Sequence, residues 1–200
     1  MKGILLLNGE PYSGKIDDAD AVVYCCDGAY DWAHGRVRID KNIGDFDSIK
    51  GVPEPPPEEL YPAEKDLTDG ELALVKLIAA GVDEIEIYGG GGGREDHFLG
   101  NLQLLYLAHK SGVKCTMVTD RSYIFPASGI IPLGGYNGKT ISVLPFGASL
   151  HILDFKGLKY AYPQTISYGE CRGISNVVKE NCAYLNVDGV ALIIVNRGEV

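Results

Sequence analysis

Up to about residue 120 short apolar runs alternate with stretches of helical periodicity, and after about residue 126 that alternation stops. Residues 4–7, 21–25, 85–88 and 115–118 are short, apolar and bounded by Gly, Asp or Asn, as buried strands are. Two helices are predicted between them. Residues 69–80 carry Leu72, Val75 and Ala79 on one face, and Thr68 to Glu71 (TDGE) reads as a capping box at their start. Residues 95–109 carry Phe98, Leu102, Leu105 and Tyr106 at helical spacing. Strand–helix–strand alternation predicts a mostly parallel sheet with helices on both faces, so residues 1–126 are expected to form an α/β, Rossmann-like domain. Residues 140–144, 150–153, 184–187 and 191–195 read as short strands separated by GGYNG, PFGAS and NVDG. They predict a small all-β sandwich over residues 127–200. The PEPPP run at 53–57 reads as a stiff loop inside the first half.

Charge narrows the function. Lys and Arg number 18 against 27 Asp and Glu, a formal net charge of −9. No basic stripe is available to displace counterions from a nucleic-acid backbone, so bulk binding of nucleic acid is excluded. The cysteines, Cys25, Cys26, Cys115, Cys171 and Cys182, are odd in number and contain no CxxC, which is neither a disulfide framework nor a zinc pattern. His34, His97, His109 and His151 show no metal-ligand spacing. The run at 4–7 is too short for a signal-peptide core or a membrane span. A reduced, cytoplasmic setting is expected.

Two stretches imitate phosphate loops. GEPYSGKI (9–16) has Ile16 where the magnesium-binding hydroxyl belongs, and the next strand begins near Ala21, leaving no room for the required helix. GYNGKT (135–140) reads better as a hairpin turn. The chemistry lies in the acids. GDFDSI (44–49) sets Asp45 and Asp47 either side of Phe46, so strand alternation puts both carboxylates on one side. A divalent cation would relieve their repulsion; turn or capping acids are the alternative. Lys65, Asp66 and Asp69 surround a predicted helix start, where the dipole alone accounts for Asp69 and Glu71. In YGGGGGREDH (88–97) a strand runs into five glycines and then a helix. Backbone N–H groups of Gly91, Gly92 and Gly93 would approach a phosphate, and Arg94 would clamp it; a flexible loop with a capping Asp is the other explanation. Asp27, in CCDGAYD, also follows a strand.

Taken together, DGAYD (27–31), GDFDSI (44–49), KDLTDGELAL (65–74), GGGGGREDHFLGNLQLL (89–105), GLKYAY (157–162) and GISN (173–176) resemble the thiamine pyrophosphokinase family along nearly the whole chain. The resemblance implies a Mg²⁺-dependent homodimer with an α/β catalytic domain and a β-sandwich domain. Such an enzyme transfers the pyrophosphoryl group of ATP to the hydroxyethyl oxygen of thiamine and releases AMP. It implies Asp45, Asp47 and Asp69 as metal ligands. It implies Asp27, Asp66, Thr68, Arg94 and Asp96 around the phosphates, with Asp96 near the reacting hydroxyl and Asn101 in support. Ser175 and Asn176 would meet the thiamine pyrimidine. The chain departs from the family at Ala29-Tyr30-Asp31, at Asp40-Lys41-Asn42 and at Val177, where a glutamate is usual. The only tryptophan, Trp32, lies in the wrong half to stack on thiamine, which leaves Tyr168 as the candidate aromatic. A diphosphokinase for a pterin-type acceptor and a non-catalytic nucleotide- or thiamine-binding regulator are the alternatives.

Overall fold

In the computed structural model, which describes residues 1–45, 52–57 and 66–198, the apolar runs of the first half become parallel strands. They are β1 (Lys2–Leu6), β2 (Ala21–Cys26), β4 (Glu84–Tyr88) and β5 (Lys114–Val118); a fifth parallel strand, β3 (Lys41–Ile43), forms in Lys-Asn-Ile, which carries no apolar run. Their spatial order is β5-β4-β1-β2-β3. Every neighbouring pair is parallel, with Leu6 opposite both Cys25 and Tyr88. All five carboxyl ends therefore lie along one edge. The chain divides into two units, Met1–Asp120 and Arg121–Val200, and is mixed α/β with few helices.

Among the described residues, three helices accompany the parallel strands: α1 (Ala29–Ala33), α2 (Asp69–Ala79) and α3 (Glu95–Lys110). The capping box forms as expected, with Thr68 Oγ1 accepting from Glu71 N at 3.2 Å. The buried face of α2 is not the one expected. Gly70, Ala73, Leu74 and Leu77 are buried, whereas Val75 is 42% exposed and Ala79 faces solvent. Both stripes have helical spacing, and the one with two leucines and two small residues wins because α2 must approach β1, β2 and α3 closely. Helix α3 buries Leu104, Leu105 and Ala108. The core of this unit is made of Ile4, Leu5, Leu6, Ile85, Ile87 and Met117, none of which reaches solvent.

The 53–57 run belongs to the first unit. The Asn42 side chain, 3% exposed, donates to Pro55 O at 2.7 Å, and Glu54 N donates to the Tyr30 hydroxyl at 3.0 Å. Asn42 and Tyr30 thus fasten the same dipeptide.

Among the described residues, the second unit contains no α-helix. Its strands are β6 (Ser122–Pro132), β7 (Thr140–Pro145), β8 (Leu150–Lys156), β9 (Thr165–Ile166), β10 (Asn176–Val177) and β11 (Tyr184–Asn196). Two expectations are corrected. NVDG is not a turn between strands: β11 runs through it, with a register shift between Val187 and Ala191. GYNG does not close a hairpin, because β6 and β7 both pair with β11 and so flank it. Strand β11 pairs antiparallel with β6 along its length and, on its other edge, with β8 and then β7. Around it pack Leu133, Ile141, Val143, Leu150, Leu185 and Ile193.

Leu5 sits on the central strand with no exposed surface. Leu5→Ala is expected to destabilise the protein by about 2–5 kcal/mol, read as a lower urea midpoint with an unchanged slope.

Candidate active site

A cleft of about 980 Å³ opens along the carboxyl edge of the parallel strands. Leu7, Asn8 and Gly9 enter it from the end of β1, Cys26 and Asp27 from the end of β2, and Asp45 from beyond β3. The start of α2 contributes Asp66, Thr68, Asp69 and Glu71. The turn after β4 and the first turns of α3 add Gly92, Arg94, Asp96, His97 and Asn101. Residues read separately from five sequence motifs thus share one cavity.

Strand pairing explains the convergence. Asp27 N donates to Ile43 O at 3.0 Å, which brings the ends of β2 and β3 together. Asp27 has φ +41°, a left-handed conformation that costs a non-glycine residue energy and is held here by the surrounding structure. Asp45 lies two residues past β3, after a turn at Gly44, and not within a continuing strand. Asp47 and Lys65 lie outside the described residues. On the other side, hydrogen bonding continues beyond the strands: Leu7 N to Tyr88 O, Gly9 N to Gly89 O and Glu10 N to Gly91 O, at 2.9, 2.7 and 2.6 Å. A Cβ on Gly9 would stand 2.5 Å from the carbonyl oxygens of Gly89 and Gly91. Only glycine lets these two turns touch. The 9–16 segment therefore spends its first N–H groups on carbonyls, and no helix intervenes between β1 and β2.

The glycine turn is braced from α3, where Asn101 Nδ2 donates to Gly90 O at 3.0 Å. Of the three glycines singled out in the sequence, Gly92 lines the cleft. Gly91 is buried with its carbonyl bonded to Glu10, and Gly93 is exposed. Arg94 and Asp96 bond each other in a fork: Nε to Oδ1 at 3.1 Å and Nη2 to Oδ2 at 2.6 Å. Asp96 Oδ1 also accepts from His97 N at 3.0 Å. The guanidinium's hydrogen bond, reinforced by its charge, holds the Asp96 carboxyl below the usual range; the same contact raises Arg94. Behind the cleft, burial and then the Asp27 charge push the Cys25 thiol up to about 12, so it is no nucleophile at neutral pH.

Among the described residues, six acids line the cavity (Asp27, Asp45, Asp66, Asp69, Glu71, Asp96) against one arginine. Among the described residues no three His, Cys, Asp or Glu form a ready-made metal cage. The donors are hard carboxylate oxygens, the kind a small divalent cation takes one or two of before completing its shell with water and phosphate. The residues present fit such an ion. The N-termini of α2 and α3 also border the cavity and favour an anion there.

Ser175, Asn176 and Tyr168 belong to the second unit. Ser175 adopts φ +62° and its N donates to Ser142 Oγ at 3.1 Å. Asn176 is 3% exposed, and its amide is engaged with the backbone of Tyr160, donating to O at 2.8 Å and accepting from N at 3.0 Å. Tyr168 is 68% exposed. Asn8, Cys26, His97 and Gln103 line the cleft without having been singled out for it in the sequence. For Asn8 the sequence carries a signal, since it directly follows the apolar run at 4–7, as Asp27 follows a strand.

Comparison with known proteins gives one consistent result. The family model "Thiamin pyrophosphokinase, catalytic domain" matches residues 15–117, and "Thiamin pyrophosphokinase, vitamin B1 binding domain" matches residues 128–190. A thiamine pyrophosphokinase of Bacillus subtilis (strain 168) is 38% identical, the match covering 67% of each chain. The crystal structure of thiamine pyrophosphokinase from Bacillus subtilis superposes with a TM-score of 0.79 at 28% identity, covering 100% of this chain and 99% of that one. The thiamin pyrophosphokinase from Candida albicans, 15% identical, shares the fold with a TM-score of 0.78 over 98% of this chain and 88% of its own. The chain belongs to the thiamine pyrophosphokinase family.

Proposed function

We propose that the protein transfers the β,γ-pyrophosphoryl group of ATP to the hydroxyethyl oxygen of thiamine, giving thiamine diphosphate and AMP. The observation that carries this function is that Asp45, Asp66, Thr68, Asp69, Arg94 and Asp96, from three separate motifs, line one cleft. Neither a pterin acceptor nor a regulator is favoured by matches to both thiamin pyrophosphokinase domains. Residues 1–126 would be the Rossmann-like domain that binds ATP, and residues 127–200 the β-sandwich that binds thiamine through Ser175, Asn176 and Tyr168. The enzyme would act in the cytoplasm as a homodimer. No helix among the described residues is long and apolar enough to cross a membrane.

Asp45, Asp47 and Asp69 would hold Mg²⁺. When bound, the ion neutralises and orients the ATP phosphates. Asp27, Asp66, Thr68 and the backbone of Gly92 would surround the phosphates, with Gly91 and Gly93 shaping the turn that Asn101 keeps in place. The thiamine hydroxyl attacks Pβ in line. Its oxygen bonds to Pβ, the bond from Pβ to the bridging oxygen breaks, and that oxygen leaves with AMP. Arg94 turns from Asp96 to the transferred group and stabilises the charge growing on it. Asp96, released by the same turn, takes the hydroxyl proton.

Product analysis by phosphorus NMR, with ATP, Mg²⁺ and thiamine, is expected to show AMP and thiamine diphosphate; ADP with thiamine monophosphate would mean transfer of the γ-phosphoryl group. Asp47→Asn is expected to fold normally and lose most turnover; full turnover at saturating Mg²⁺ would remove Asp47 from the metal site. Arg94→Met is expected to lower kcat by ~10²–10³-fold. Because Arg94 depresses the Asp96 carboxyl, activity that needs the carboxylate persists below the usual aspartate range and is lost only as pH falls through the depressed value. In Arg94→Met the acid limb of kcat/KM should therefore move to higher pH.

A further inference from the structure

Helix α1 begins inside the DGAYD motif, and its later residues, beyond that motif, reach both turns that border the mouth of the cleft. Its N-cap residue, Gly28, packs so closely on the Asn8 side chain that a Cβ there would collide with it. In its last turn Trp32 Nε1 donates to Leu7 O at 3.1 Å. Leu7 is the residue at which β1 leaves the sheet, and Gly89, with φ +69°, turns away beside it. A Cβ on Gly89 would strike the Leu7 carbonyl oxygen and lie 3.0 Å from Trp32 Cζ2. The indole N–H therefore supplies a donor to a carbonyl at the very end of the ladder, while the indole ring packs against the start of the glycine turn. Just past α1, Arg36 lies over the Trp32 ring, 5.9 Å from its centroid, and donates to Tyr12 O at 2.8 Å. One face of the indole is thus coupled to the 8–14 loop and its edge to residue 89.

We infer that Trp32, with Arg36 over it, is the positioning residue that sets the separation of the 8–14 loop and the glycine turn, and hence the affinity of the cleft for a nucleoside triphosphate. This inference rests on the cleft being the ATP site. Both turns contribute lining, Asn8 and Gly9 from one and Gly92 from the other. They touch through Gly9 N to Gly89 O and Glu10 N to Gly91 O. A triphosphate that bonds either turn pulls on this contact, and the indole shares its hydrogen-bonding and packing partners with it. The chain's single tryptophan is therefore a direct reporter of nucleotide in the cleft.

The test uses the full chain. Mg²⁺ and ATP are expected to change Trp32 emission saturably, with thiamine alone leaving it unchanged. Trp32→Phe keeps a ring and removes the N–H. It is expected to raise the Kd for ATP about tenfold, the scale of one hydrogen bond lost to a shielded carbonyl, and to leave the KM for thiamine unaltered. Arg36→Met, at an exposed position, should weaken ATP in the same direction and carries the test if Trp32→Phe does not fold. Labelled ATP in equilibrium dialysis separates the outcomes. ATP bound with no change in emission, or unaltered ATP affinity in Arg36→Met and in a folded Trp32→Phe with a lowered melting temperature, would reduce Trp32 to a structural role and overturn the inference. ATP that does not bind the native protein at all removes both the inference and the proposed function. Normal ATP linkage to Trp32 without thiamine diphosphate formation supports the inference and overturns the proposed reaction.

Discussion

Main-chain hydrogen bonding that outlasts the strands is the constraint on which the site depends. Strands β1 and β4 end at Leu6 and Tyr88, but their connections stay joined through Leu7, Gly9 and Glu10. The bonds require backbone contact with no side chain between, so glycines at 9 and 89 are a geometric necessity. Once these two turns are locked, the parallel register fixes where β2 must end, and Asp27 N to Ile43 O carries the constraint to β3. Acids that would repel one another in a chain free to relax are thereby held around one cavity. Mutual repulsion at close range is several times stronger near a protein surface than in bulk water.

The pairing of Arg94 with Asp96 adds a second element to this electrostatic picture. Both side chains are largely exposed, so the pair contributes little to stability. Its importance is in occupancy. The one arginine of the cleft has its fork filled by a neighbour two residues away. A phosphate competes for that fork on favourable terms, because it offers more oxygens and arrives at the same helix terminus.

The parallel half was legible because its strands are buried on both faces and so appear as unbroken apolar runs, and because the TDGE cap announces α2 by chemistry. The burial stripe of α2 was not legible, since Leu72/Val75/Ala79 and Gly70/Ala73/Leu74/Leu77 satisfy the same periodicity and only the closeness of neighbouring elements chooses between them. Helix α1 escaped because five residues hold too little periodicity to register. Strand β6 escaped because Pro126 and Gly129 punctuate it, and β11 was split in two because Asp188-Gly189 carries the signature of a turn where the structure has a register shift. The acids of the cleft were legible as motifs. Trp32 was not, because its hydrogen bond goes to a backbone carbonyl, which no side-chain pattern advertises.

The pairing of β11 bears on how the protein is made. Every strand of the first unit has been synthesised by Val118, and each can find its neighbours from then on. The second unit differs, since β6, β7 and β8 all take their long pairings from β11, which follows them in the chain. During translation those three strands are exposed, apolar on one side and unpaired along that edge, until Tyr184–Asn196 emerges. Contacts so distant in sequence form slowly and leave open edges in the meantime. On the ribosome, the first unit is thus complete well before the second, and a stalled chain lacking β11 keeps open strand edges that are exposed to aggregation and to capture by a chaperone.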